Sequence, residues 1–125
     1  MQWFNNRRKL NINASVMVPV SGDVVGEKNI YVTITNSCSI PIHVVHLGIT
    51  MEDGIEGFCV CNILPKVLHE SEYTIEKINI KSLPDVKKGN YIKNIYAFDV
   101  LKNKWHVKNK ELEKINLEID KIINN

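Results

Sequence analysis

The most tempting group of metal-ligating side chains in this 125-residue sequence is His43, His46, Cys59, Cys61 and His69. Thiolate and neutral imidazole are the donors zinc prefers, and a structural zinc site wants four in a tetrahedron. The spacing argues against such a site. His43 and His46 stand three apart, so on a strand they face opposite sides unless a bulge brings them together. Cys59 and Cys61 lack the intervening loop that C-x₂₋₄-C supplies. The reading is of thiols packed as small hydrophobes and of surface histidines, with no metal and no cofactor. A metal-dependent enzyme built on this group is the least favoured reading of function.

Other chemistry is equally sparse. His69–Glu70 begins like a zinc-protease motif, but Tyr73 occupies the second histidine's place and the region reads as strand entry. No G-x-S-x-G, P-loop or G-x-G-x-x-G occurs in the chain. Asp99, beside a hairpin, is expected to organise the turn by accepting backbone N–H groups rather than to act as an acid. Asn13–Ala14–Ser15 is a formal glycosylation sequon, read as accidental. The sequence therefore offers no catalytic residue, and a non-enzymatic protein is expected. Trp3–Phe4 with Arg7–Arg8–Lys9 could touch an anionic surface, yet three charges fall short of the about 4–8 of a lipid-binding cluster. Membrane contact through this segment is thus a weak expectation. The formal net charge of +2 is too balanced to imply a nucleic-acid partner.

Composition bounds the rest. Hydrophobic residues make up 44% and charged residues 24%, which excludes wholesale disorder. The 17 Ile, 15 Asn and 14 Lys against two Arg fit AT-rich codon usage, and the β-branched Ile favours strands. Three cysteines make a poor disulfide framework and suit a reducing compartment. No run approaches the roughly 18 apolar residues of a membrane span, and Met1–Leu10 lacks the apolar core of a secretory signal. A cytoplasmic location is expected.

The elements that must position these residues follow from periodicity. Leu10, Ile12, Ala14, Val16 and Val18 alternate with polar neighbours, a half-buried strand ended by Pro19 and the loop Ser21–Gly22–Asp23. Ile30, Val32 and Ile34 form the inward face of a second strand, closed by the turn residues Asn36–Ser37–Cys38–Ser39. In the third, Ile42 and Val44 are out of phase with Leu47 and Ile49, which predicts a bulge near Val45. Further strands are predicted at Gly57–Asn62, Tyr73–Ile80, Tyr91–Val100 and Trp105–Lys108, with a loop over Lys81–Asn90. Tyr73–Ile80 has an imperfect pattern: Tyr73 and Ile75, then Ile78 and Ile80. About seven short strands with turns every 8–12 residues argue an all-β sandwich.

Three segments carry a resemblance. Tyr31-Val-Thr-Ile-Thr-Asn36-Ser-Cys-Ser-Ile-Pro41-Ile-His-Val-Val-His-Leu47-Gly48-Ile is similar to the region joining two core strands of small immunoglobulin-like domains. Leu68-His-Glu70-Ser-Glu-Tyr73-Thr-Ile75 looks like their L-x-P-G-E-x-Y-x-I strand entry. Ile95-Tyr96-Ala-Phe98-Asp99-Val-Leu-Lys-Asn103-Lys-Trp105 looks like their last hairpin, V-Y-V-x-D-x-x-G-x-x-Y. Over about residues 10–110 the chain thus resembles small uncharacterised immunoglobulin-like proteins of bacteria and of their phages and mobile elements. The resemblance implies an immunoglobulin-like β-sandwich of about seven strands that binds a protein partner through exposed faces, edges or end loops, and it brings no catalytic residue. His69 and Asn103 stand where that group has glycine-type turn residues, and Asn tolerates the left-handed conformation. Many of its members carry an apolar segment and a basic patch before the first strand, where this chain has Trp3–Phe4 and Arg7–Arg8–Lys9. Tyr91 is a candidate tyrosine-corner residue with a structural role.

The tail has a different period. Asn109 can N-cap, Glu111 and Glu113 suit the positive end of a helix dipole, and Leu112, Ile115, Ile119, Ile122 and Ile123 span an arc of about 100°. The spacing predicts a helix over 110–123. The chain thus divides into a basic tail (1–9), an immunoglobulin-like sandwich (10–108) and an amphipathic helix (109–125). An isolated helix this short is marginal in water, so its stripe must be covered. Either the chain's own sandwich covers it, or it is a partner-binding face that meets another protein, including the same helix of a second copy in a homodimer. Leu117 lies off the stripe.

Overall fold

The structure is a computed structural model and describes residues 9–18, 20–83 and 90–123. The basic patch at Arg7–Arg8, the pair Trp3–Phe4 and most of the expected 81–90 loop lie outside the described residues. Alternation produces the first strand as expected: along β1 (Leu10–Met17), Leu10, Ile12 and Ala14 are buried while Asn11, Asn13 and Ser15 are exposed. The expected loop after Pro19 instead contains a small hairpin, β2 (Val20–Ser21) and β3 (Val24–Val25), turned at Gly22 with φ 61°. That left-handed conformation is one glycine adopts without steric cost. β4 (Asn29–Asn36) buries Ile30, Val32 and Ile34 and pairs antiparallel with β1, Ile12 opposite Ile34.

Five further strands are β5 (Ile42–Met51), β6 (Glu56–Phe58), β7 (Lys66–Leu68), β8 (Tyr73–Asn79) and β9 (Ile92–Asp99). A short β10 (Lys104–His106) and one helix, α1 (Asn109–Ile123), complete the order. β1-β4-β8 form one sheet, and β10-β9-β5-β6 form the other, with β7 pairing the remaining half of β5. The register of β5 against β9 shifts between Val44 and His46, which is the bulge predicted near Val45. The fold is mostly β, in two sheets, with one C-terminal helix. No helix among the described residues is long and apolar enough to cross a membrane.

Two expectations are corrected. The strand predicted over Gly57–Asn62 stops at Phe58, and residues 60–65 leave the ladder before β7 resumes the same edge of β5. On β8 the phase of Ile78 and Ile80 wins over that of Tyr73 and Ile75. Thr74, Glu76 and Ile78 face the core, while Tyr73 and Ile75 are exposed. The reason is Glu76, only 2% exposed, whose carboxylate accepts the backbone N–H groups of Asn62, Ile63 and Leu64 at 2.9, 2.9 and 2.7 Å. A buried carboxylate needs such donors. In satisfying it, loop 60–65 is drawn across the side of the molecule, from the edge of one sheet to the other.

The opposite side is closed by α1, which lies against β1 and β9. Leu112, Ile115 and Ile119 are buried in the same cluster as the inward residues of both sheets, and Ile122 and Ile123 pack against it half-buried. The helix also satisfies strand-edge groups. Glu111 Oε1 accepts the Ala14 N–H at 3.0 Å, and the Asn116 side chain exchanges two hydrogen bonds with Ile92, accepting its N–H at 3.0 Å and donating to its carbonyl at 2.9 Å. Lys28 and Glu118 pair at 3.1 Å beyond them. Capping edges in this way blunts a template for unwanted strand pairing.

Candidate binding face and cleft

The residues singled out from sequence separate in space. The stripe Leu112, Ile115, Ile119, Ile122 and Ile123 lies against the chain's own sheets, so what covers it is this chain; the outward apolar residue of the helix is Leu117, 64% exposed. Asp99 organises its hairpin as expected: its carboxylate accepts the N–H groups of Leu101 and Asn103 at 3.0 and 2.8 Å and the Asn103 side-chain amide at 3.1 Å. The left-handed residue of that turn is Lys102 (φ 69°), however, and in the earlier turn it is Ser71 (φ 66°), neither Asn103 nor His69. The Tyr91 hydroxyl, read as a tyrosine corner, donates to Asp120 on α1. Asn109 lies inside the helix, where Glu111 and Leu112 N–H bond back to the Lys108 carbonyl.

The five potential metal ligands also part. His43 is exposed on β5, His69 is exposed and uses its backbone N–H on the Glu72 carboxylate, and His46 joins an aromatic cluster. Among the described residues no three His, Cys, Asp or Glu are grouped so as to hold a metal ion. All three thiols are free and half-buried. Burial pushes the Cys59 thiol up to about 12, with the neighbouring Cys61 and Glu76 adding to it. Burial also raises Cys61, partly offset by a backbone hydrogen bond at Leu47. A thiol held protonated at neutral pH is a poor nucleophile.

What the structure assembles instead is a face of rings. Directly paired residues share one side of a sheet, and the outer side of the five-stranded sheet carries His46 opposite Phe98 opposite Lys104, then Phe58 opposite Gly48 opposite Tyr96 opposite His106. His46 and Phe58 meet edge-on with centroids 5.3 Å apart, Phe58 and Phe98 at 5.9 Å, and Tyr96 and His106 at 5.9 Å. Lys104 Nζ sits 4.7 Å over the Tyr96 ring, a cation–π contact. Gly48 makes this possible, because a Cβ there would come within 2.4 Å of Tyr96 Cζ. Tyr96 is consequently only 4% exposed, and desolvation raises its phenol above the ordinary range, with Glu56 adding to it. Phe58, by contrast, is 67% exposed. Val67 and Val100 extend the apolar surface beside His43.

Around the β6 edge from Phe58 lies a cleft of about 280 Å³, lined by Ile49, Ile78 and Leu83 within and by Phe58, Val60 and Lys77 at its rim. It exists because Gly57 stands opposite inward-facing Ile49 and so fills the inward position of β6 with no side chain. Sequence reading found neither feature. The rings come from β5, β6 and β9, far apart in the chain, and only the pairing register brings them together. Comparison with known proteins found no matching family model, no matching curated protein and no matching solved structure.

Proposed function

We propose that the chain is an immunoglobulin-like, non-enzymatic protein-binding module whose binding face is the outer surface of the five-stranded sheet. The observation that carries this reading is the ring cluster of His46, Phe58, Tyr96 and Phe98, in which Phe98 touches the other three rings and Phe58, on the edge strand, stands 67% exposed. Clustered surface aromatics are typical anchors of protein interfaces and are otherwise rare as contiguous exposed groups. The immunoglobulin-like part rests on strand order: β1, β4 and β8 in one sheet, and the last hairpin, β9 and β10, with β5 and β6 in the other. Side-chain chemistry supports binding over catalysis, since Asp99 is spent on its turn and Cys59 is held protonated. Three free thiols suit a reducing compartment such as the cytoplasm.

The test is affinity capture from the native host with the wild-type chain and with the double variant Phe58→Ser, Phe98→Ser. A partner retained by the wild type and lost by the variant, at unchanged circular dichroism, is the expected result. An identical captured set from both would overturn the reading.

A further inference from the structure

The outer edge of β8 has no strand along it among the described residues. Which of its backbone groups point outward follows from the ladder. Asn36 N–H bonds to the Glu72 carbonyl, in the same register as Ile34 opposite Thr74 and Val32 opposite Glu76. Antiparallel pairs alternate between bonded and non-bonded. Ile34–Thr74, Val32–Glu76 and Ile30–Ile78 are therefore the bonded pairs. The other side of β4 agrees: Ser37 N–H bonds to the Lys9 carbonyl, and Ala14, opposite Val32, gives its N–H to Glu111 instead of to β4. It follows that Ile75 and Lys77 turn both N–H and C=O away from β4, toward the open edge.

That edge borders the cleft, which is lined by Lys77, Ile78 and Asn79 on the β8 side and by Gly57 to Val60 on the β6 side. We infer that the β8 edge and this cleft together receive an extended peptide segment of a partner protein, which adds a strand beside Ile75–Lys77 and lays one apolar side chain on Ile49, Ile78 and Leu83. Strand addition takes affinity from main-chain bonds and specificity from a pocket for alternate side chains, and both halves are present here. At about 280 Å³ the cleft lies just under the roughly 300–1,000 Å³ of drug-sized pockets, which suits a single side chain rather than a helix. Charge selects further. Among the described residues Lys77 is the only charged residue lining the cleft and has no ion-pair partner, whereas Lys28, Lys81 and Lys121 each pair with a glutamate. An acidic residue flanking the apolar one is therefore favoured. A second copy of β8 does not fit, because its inward side chains, Thr74, Glu76 and Ile78, are buried in its own core and have nothing to place in the cleft. The site is separate from the ring face, touching it only at Phe58.

The test is selection of a random nonapeptide display library on the folded chain, with the enriched peptides then measured against Lys77→Pro. Proline there deletes an outward N–H and leaves the ladder to β4 intact, as an edge position allows. Gly57→Val, which puts a side chain into the cleft, is the second variant. Enriched peptides are expected to be alternating, with one large apolar residue next to an acid. They should bind at least ~10-fold more weakly to either variant, lose binding when N-methylated at alternate positions, and shift the Ile49, Ile78 and Leu83 methyl resonances. Peptides that bind both variants as well as the wild type, or no enrichment at all, would overturn the inference. So would peptides lost only with Phe58→Ser, Phe98→Ser, a result that leaves the ring-face reading standing. A doubled mass without peptide would assign the edge to a second copy and also overturn it.

Discussion

On one flank of the molecule, α1 closes the gap between β1 and β9 with three buried aliphatic side chains and caps backbone groups at Ala14 and Ile92. On the other, loop 60–65 is drawn across by one carboxylate, Glu76, and the neighbouring β8 edge has no strand along it among the described residues. The first closure is distributed: burial of Leu112, Ile115 and Ile119 contributes about 1.5–3 kcal/mol each, and no single contact decides it. The second is concentrated in three charge-assisted bonds to one group. A distributed closure fills the flank with this chain's own side chains. A concentrated one holds the chain at a point and leaves a cleft beside it.

The contrast can be broken most severely at the helix. Truncation after Lys110 should remove several kcal/mol from a total that for such a domain is about 5–15 kcal/mol. Thermal denaturation is expected to lose more than about 10 °C in Tm or its cooperativity. An unchanged Tm would mean that the stripe is not core. Glu76→Gln comes next. An amide puts N–H where N–H groups already converge, so a loss of about 2–4 kcal/mol is expected by urea titration, in a protein whose helix remains docked. Asn116→Ala removes the two bonds to Ile92 at a half-exposed position and should be milder, about 1–2 kcal/mol. The mildest effect at neutral pH concerns Cys59. With its folded value pushed up to about 12 from 9, the thiolate fraction at pH 8 falls about 1,000-fold, and iodoacetamide should label Cys59 correspondingly more slowly in the folded than in the unfolded chain. The sign for stability follows: the unfolded thiol ionises first, so this contribution is intact below about pH 9 and is lost as pH rises toward 12.

The helix flank was legible in the sequence because its signal is local and repeated. Five apolar residues at helical spacing announce both the element and its need for cover, and period-two runs did the same for β1 and β4. The phase slip that announced the Val45 bulge is equally local. The Glu76 flank was not legible. Tyr73 and Ile75 are the more hydrophobic face of β8, so a hydrophobicity pattern turns Glu76 outward. Only the even-numbered series Thr74, Glu76, Ile78 and Ile80, read without regard to polarity, carried the true phase. Its three donors lie 12–14 residues upstream in a segment that Pro65 marked as a break, which also hid β7. The ring face failed for a different reason. His46, Phe58, Tyr96 and Phe98 become neighbours only through register across β5, β6 and β9, and that is long-range information.

The central claim is that one buried carboxylate holds the second flank, and amide hydrogen exchange tests it most directly. In Glu76→Gln, the amides of Asn62, Ile63 and Leu64 should exchange at least ~10-fold faster than any change seen at the Ile115 and Ile119 amides of α1, which report global opening. Exchange at those three amides that rises only in step with the helix, or does not rise at all, would contradict the account.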